Sequence, residues 1–291
     1  MIANNRKTLL VIGGTGFIGF HLLKKSINLG WTSYSASRKK PFKKKYLKKV
    51  RYINVDIKKL KDLENKLNQN YDFVVNLSNL SYSKNKSFLN FINKKKIKKY
   101  IQVGSSAEYG KNKRTLVESL KCKPISAYGK NKLKNTKDTI EIYKNKSFPS
   151  IVVRLFQVYG PLDDDKKIIP FTIKNCLKNR NFNLTQGFQT RDFCHIDDVV
   201  NAIVKLLKTR NTKVLGKIFN IGFGKSISIK KLVEKINRKI GKGFPVFGKK
   251  KISIKEITHS RSSIKKIKKH INWSPKISLD KGIEDLVKYE K

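Results

Sequence analysis

The sequence predicts an α/β fold: a doubly wound parallel sheet with a smaller C-terminal substrate-binding lobe. Three observations carry this. The apolar run Leu9-Leu10-Val11-Ile12 ends in Gly13, Gly16 and Gly19 and passes at once into an apolar helical pattern. Short apolar runs then alternate with helix-period segments as far as Leu155, a spacing that calls for right-handed crossovers between parallel strands. Beyond Pro161 the elements become shorter and mixed, which is where such folds build a lobe over the carboxyl ends of their strands. The expected division is 1–160 for a nucleotide-binding domain, with contributions from about 190–222, and 161–291 mainly for the substrate lobe.

Element by element, the first strand is followed by a helix from about Phe17 to Leu29 and a second strand, Thr32 to Ala36. A basic loop, Ser37-Arg38-Lys39-Lys40, comes next. The third strand, Val50 to Val55, ends at Asp56, and Leu60 to Leu67 has helical periodicity. Phe73-Val74-Val75-Asn76-Leu77 reads as a buried fourth strand. A short helix near Phe88 to Lys95 leads to a fifth strand, Tyr100 to Val103. A long helix, about Ser126 to Asn145, precedes the sixth strand, Ser150 to Leu155, and Val199 to Leu207 forms a later helix.

Composition narrows the function classes. With 38% hydrophobic residues the chain of 291 can support a core, and no apolar run reaches the length of a membrane span. Met1 to Arg6 does not read as a signal peptide, and Cys122, Cys176 and Cys194 lack metal-ligand spacing, so reduced thiols in a cytoplasmic protein are expected. No metal-ligand set is visible. The net charge of +47 raises the question of nucleic acid, but 57 lysines against 10 arginines, spread from Lys7 to Lys291, suit a composition bias better than a base-reading surface. Specific nucleic-acid and membrane partners are therefore not expected. Asp163-Asp164-Asp165 reads as an exposed acidic loop.

Two constellations carry chemistry. At the glycine turn, the backbone can bend sharply and the free N–H groups of a helix start can receive a pyrophosphate. Tyr128 and Lys132 lie four apart on the long helix, hence on one face. A nearby ammonium favours the phenolate of a tyrosine and makes it a usable proton donor and acceptor. Gly104-Ser105-Ser106 at the end of the fifth strand offers a hydroxyl for the same reacting group.

From Leu9 to about Leu286 the sequence resembles the extended short-chain dehydrogenase/reductases, in particular the NAD(P)-dependent nucleotide-sugar epimerases, dehydratases and reductases. The resemblance implies a Rossmann-type domain and assigns Gly13, Gly16, Phe17, Ile18 and Gly19 to the cofactor. It likewise gives Asp56 and Ile57 to adenine, and Asn76 and Leu77 to the nicotinamide ribose. Ser105-Ser106-Ala107-Glu108-Tyr109-Gly110 is similar to the catalytic Ser/Thr motif, with Ser106 the first choice as catalytic serine and Ser105 the reserve. Tyr128 and Lys132 match the catalytic pair, and Lys132 also contacts cofactor. Substrate contacts fall on Ser105, Glu108, Gln157, Arg191 and Arg261, with Arg191 meeting the substrate diphosphate. His195 and Asp198 read as caps for the helix that follows, and Trp273 as packing. The segment from Leu77 to Tyr100 is shorter than in the family. The missing part supplies dimer surface and an asparagine that supports the lysine, for which Asn85 and Asn90 are imperfect replacements; this leaves a homodimer open.

The resemblance implies hydride transfer between a nicotinamide and a carbon of a nucleotide-diphosphate sugar. Ala107-Glu108 holds only half of the acid pair that dehydratases use. An NAD site places a carboxylate by the ribose, whereas Ser35-Ala36-Ser37-Arg38-Lys39 has none, which favours NADP(H) over NAD(H), with Ser37 and Arg38 on the 2′-phosphate. The reading is therefore reduction of a 4-keto-6-deoxy nucleotide sugar. The alternatives are an NAD-dependent 4-epimerase and, more remotely, a non-catalytic RNA-binding or scaffold protein of the same fold.

Overall fold

The computed structural model describes residues 6–80, 82–253 and 256–291. The first half of the chain runs β1 (Thr8–Ile12), α1 (Phe17–Asn28), β2 (Thr32–Ser37), β3 (Val50–Asn54), α2 (Leu60–Lys66) and β4 (Phe73–Asn76). It continues with α3 (Tyr82–Asn93), β5 (Lys99–Ser105), α4 (Ala127–Lys146) and β6 (Ser150–Leu155). The second half holds β7 (Gln157–Tyr159), α5 (Ile168–Leu177), β8 (Asn181–Asn183), β9 (Thr190–Arg191), β10 (Phe193–His195), α6 (Ile196–Lys208) and β11 (Ile218–Ile221). It closes with β12 (Ile227–Ser228), α7 (Ile229–Ile240), β13 (Phe244–Val246), α8 (Lys265–Ile271) and α9 (Leu279–Glu290).

Seven strands form one sheet in the order β3-β2-β1-β4-β5-β6-β11, every pair parallel. The central strands β4 and β6 are buried at every residue, which is why their sequences are nearly continuous apolar runs rather than alternations. One face carries Leu9, Val11, Val75, Val103 and Val153 against Val199, Ile203 and Leu206 of α6, with Trp273 in the same cluster. The other face carries Leu10, Val74 and Tyr100 against Leu63 of α2, Phe88 and Ile92 of α3, and Ile142 of α4. Strand order reverses between β1 and β4, so a crevice opens at their carboxyl ends. Gly13 and Leu77 meet there: a Cβ built on Gly13 would stand 3.5 Å from that of Leu77.

Outside the sheet, β7 pairs in parallel with β10, β9 antiparallel with β12, and β8 in parallel with β13. The lobe has its own apolar cluster, built on Ile169, Ile173, Leu232, Ile236, Ile283 and Leu286 from α5, α7 and α9. These short pairs and the three helices lie where the sequence gives only mixed signals. The helix expected from Phe88 begins earlier, at Tyr82, because Asn85 is fully buried and donates to Asp138 of α4 at 2.9 Å. A tertiary hydrogen bond thus holds a polar stretch in the helix. Among the described residues no helix is long and apolar enough to cross a membrane.

Candidate active site

The glycine turn is built as a cradle. Gly13 has φ +80°, in the left-handed region that favours glycine, and its N–H donates to the Ala36 carbonyl at 2.8 Å. Gly16 is the N-cap of α1, yet no side chain caps this helix and no acidic residue stands in its first turn. The N–H groups of that turn and the positive end of the helix dipole are left for an anion, which is the fit a dinucleotide pyrophosphate needs.

A cavity of about 410 Å³ extends from this turn to the start of α4. Gly13, Gly16, Phe17, Ile18, Gly19 and Leu77 line one side; Ser105, Tyr128, Lys132, Gln157 and Lys167 line the rest. The structure therefore brings the glycine turn and the Tyr128–Lys132 pair to one cavity. Ser126 caps α4 by accepting from the Gly129 N–H at 3.0 Å. Gly129 lets this first turn press on the turn after β5, since a Cβ there would lie 2.5 Å from the Ala107 carbonyl oxygen. That close approach sets Tyr128 beside Ser105.

The Tyr128 ring is about half exposed to the cavity. Burial of its hydroxyl raises the phenol above its ordinary value, and a hydrogen bond with Ser105 opposes the rise. Lys132 is 3% exposed, and its Nζ donates to the carbonyls of Val103 at 2.8 Å and Ser78 at 3.0 Å. The Nζ lies 5.9 Å from the centre of the Tyr128 ring. Burial lowers this lysine to about 8, with Glu108 pulling the other way. A phenol and a lysine of lowered pKa facing one cavity have the chemistry that a proton-transfer pair requires.

Several expected residues stand elsewhere. Ser105, not Ser106, lines the cavity; Ser106 instead gives its carbonyl to the Tyr109 N–H. Glu108 is fully buried and does not line this cavity. Its carboxylate accepts from Ser105 N at 2.9 Å, Thr136 Oγ1 at 2.9 Å and Arg154 Nε at 2.8 Å, so it braces the turn that carries Ser105. Asn76 is also fully buried, with its amide spent on Tyr100, Gln102 and Ser78. Its neighbour Leu77 is the one that reaches the cavity.

A second cavity, of about 440 Å³, lies at the carboxyl end of β2, lined by Thr15, Ser37, Lys39, Lys40 and Tyr52 among others. Arg38 is exposed and lines neither cavity. Asp56 accepts from the Lys58 N–H at 3.1 Å in the turn after β3, and Ile57 packs on the core of that face.

In the lobe, Arg191 donates to the Thr190 carbonyl at 2.8 Å and pairs with Glu256. Burial lowers its pKa, and Glu256 offsets this. Arg261 is exposed and donates to the Gly224 carbonyl at 3.1 Å. Asp192 is fully buried, taking N–H groups of Phe223 at 2.7 Å, Gly224 at 3.1 Å and Ser262 at 2.8 Å, which fixes the segments beside Arg191. His195 caps α6 by accepting from Asp197 N, and Asp198 accepts from Ile277 N at 2.9 Å. His195 thus caps the helix as its sequence context suggests, whereas Asp198 lies inside α6 and joins it to the segment before α9.

Sequence reasoning names Lys39 and Lys40 only within a basic loop and passes over Lys167, since a single lysine carries little signal in a chain of 57. It also passed over Glu256, for which only a partner search around Arg191 would have served. Asp163 departs from the exposed acidic loop expected for it: its carboxylate is 1% exposed, while Asp164 and Asp165 are at the surface.

Comparison with known proteins agrees with this architecture. The NAD dependent epimerase/dehydratase family matches residues 9–222. The "Putative UDP-glucose 4-epimerase" of Methanocaldococcus jannaschii is 29% identical over 97% of this chain and 98% of its own length. The dTDP-4-dehydro-6-deoxyglucose reductase of Escherichia coli is 28% identical over 62% of this chain and 57% of its own. The Bacillus cereus UDP-glucuronic acid 4-epimerase, solved with UDP-glucuronic acid and NAD, superposes with a TM-score of 0.84 at 25% identity. That superposition covers 98% of this chain and all of that one. With a matching seven-stranded sheet and an intact glycine turn, this chain belongs to the NAD-dependent epimerase/dehydratase family of nucleotide-sugar enzymes.

Proposed function

We propose that the chain reduces the 4-keto group of a nucleotide-diphosphate 4-keto-6-deoxy sugar with NADPH. The observation that carries this reading is the chemistry at the end of β2. The cavity there is lined by Ser37, Lys39, Lys40 and Thr15 and by no carboxylate. Ser35 Oγ and Ser37 Oγ are buried without a hydrogen-bond partner among the described residues. Hydroxyls and ammonium groups suit a 2′-phosphate, whereas a bare ribose is met by Asp or Glu. An enzyme that releases its cofactor each turnover draws on NADPH more naturally than one that keeps NAD bound. The E. coli reductase is a relative in keeping with this choice.

Bound NADPH would supply the hydride. The chain's own residues supply position and the proton. Ser105 orients the reacting carbonyl by hydrogen bond, and Tyr128 gives its phenolic proton to that oxygen as charge develops there. The Lys132 ammonium, fixed by two backbone carbonyls, favours the phenolate left behind. Arg191 takes the substrate diphosphate in place of Glu256, a bidentate match of guanidinium to phosphate oxygens.

A second reading, an NAD-dependent 4-epimerase, is favoured by the M. jannaschii relative, which aligns across nearly the whole chain. The test is NADPH oxidation with a panel of 4-keto-6-deoxy nucleotide sugars of different bases. Turnover with one of them supports the reductase. No oxidation with any, together with interconversion of C4 epimers, would establish the second reading.

A further inference from the structure

The loop from Gly160 to Lys167, between β7 and α5, is fastened to the start of α1. His21 on α1 is hydrogen-bonded through Nε2 to the Pro161 carbonyl at 2.8 Å. The Lys167 ammonium lies over the Phe17 ring, 5.2 Å from its centre. Phe17 is the first residue of α1, a helix that no side chain caps, so this cation stands over the side chain of that helix's first residue. Lys167 is held there by Asp163, whose Oδ1 accepts from its Nζ at 2.8 Å. That carboxylate is 1% exposed, and its other oxygen has no partner among the described residues. Hiding a carboxylate is costly, and the salt bridge with Lys167 together with the Asp164 N–H donated to the same oxygen at 2.9 Å returns only part of that cost. The arrangement gains a purpose if the lysine must be kept in one place.

An ammonium has three N–H donors, and Asp163 uses one. Lys167 itself lines the cavity shared with Gly13, Gly16 and Ile18. We propose that Lys167, oriented by Asp163, is a ligand of the pyrophosphate of the nicotinamide dinucleotide, adding a side-chain cation to the backbone N–H groups of the α1 start. This rests on the nicotinamide cofactor of the family and is independent of which sugar reaction the chain performs.

Calorimetric titration of the purified protein with three probes decides it. ADP-ribose contains the pyrophosphate, 2′-AMP lacks it, and UDP carries a diphosphate without a dinucleotide. Lys167→Met is expected to weaken ADP-ribose about tenfold or more while leaving 2′-AMP unchanged, as loss of a charge-assisted contact requires. Lys167→Arg, which restores a cation, is expected to recover most of that affinity. Asp163→Asn is expected to weaken ADP-ribose by less than Lys167→Met, because it frees the lysine without removing it. Unchanged ADP-ribose affinity in Lys167→Met overturns the proposal. So does a loss confined to UDP, which would assign the lysine to the substrate diphosphate. An equal loss for 2′-AMP and ADP-ribose also overturns it, since the pair would then only brace the loop. Because ADP-ribose binding needs no sugar turnover, a failed reductase assay leaves this result decisive on its own.

Discussion

Lys132 ends between two backbone carbonyls rather than against a carboxylate, and this governs how it titrates. Its proton is held to about pH 8 in the folded protein, against 10.5 for an ordinary lysine. Between those values the unfolded chain binds more protons, so unfolding becomes less favourable as pH rises. The stability of the wild type relative to Lys132→Met should therefore increase from pH 8 to 10.5, as urea unfolding at successive pH values would record. A flat difference would show that the ammonium is not desolvated. Catalysis should move the opposite way, because the charged lysine supports the Tyr128 phenolate: kcat is expected to fall as pH rises through about 8. Tyr128→Phe should abolish turnover and leave cofactor affinity within about twofold, since only the proton donor is removed. Full activity in that variant would exclude Tyr128 from the chemistry. At this scale the sequence was legible where spacing fixes a face, as for Tyr128 and Lys132. Adjacent residues of one polar turn have no such marker, which is why only the backbone path after β5 shows that Ser105 lines the cavity and Ser106 does not.

Glu108 shows what the turn between β5 and α4 depends on. Its carboxylate meets the Arg154 guanidinium at 2.8 Å, with both side chains almost completely buried. The same carboxylate takes the Ser105 N–H and the Thr136 hydroxyl. Removing one partner of a buried pair strands the other, a loss of about 3–5 kcal/mol. Glu108→Ala should thus lower unfolding stability by about that amount, and Glu108→Ala with Arg154→Met should recover part of it. A stable Glu108→Ala protein with only a raised KM would return the residue to the substrate site. Sequence alone favours the substrate reading because Glu108 sits inside a catalytic motif. Its true partners, at positions 136 and 154, are distant in sequence and are brought close by α4 and β6.

Over the whole molecule, the parallel sheet and the positions of its first six strands along the chain were readable because central parallel strands are nearly unbroken apolar runs. The lobe was not: β8, β9, β12 and β13 are two or three residues long and owe their pairing to tertiary placement. The surface of α3 and α4 bears on assembly. Among the described residues its exposed positions include Lys84, Lys86, Asn90, Lys130, Lys134, Lys137, Glu141, Lys144 and Lys146, and Tyr128 at the cavity is the one large apolar side chain exposed among them. Joining two such surfaces would set lysines against lysines in a chain of net charge +47. A dimer through this helix pair needs a more apolar patch than this, so sedimentation equilibrium at moderate salt is expected to return a monomer of 33.6 kDa. A dimer under the same conditions would contradict that expectation, and one strengthened by Lys134→Glu or Lys137→Glu would place its interface on this helix pair, because charge reversal relieves repulsion there.

The pocket at the end of β2 carries the choice of reaction, so cofactor preference is the point at which to press. Fluorescence titration of the purified protein with NADPH and NADH, alongside mass analysis of any dinucleotide that copurifies, compares the two cofactors directly. The expected result is a protein that purifies without dinucleotide and binds NADPH at least about tenfold more tightly than NADH, an advantage that Ser37→Asp removes. Stoichiometric NAD⁺ retained through purification, with no preference for NADPH, would contradict it.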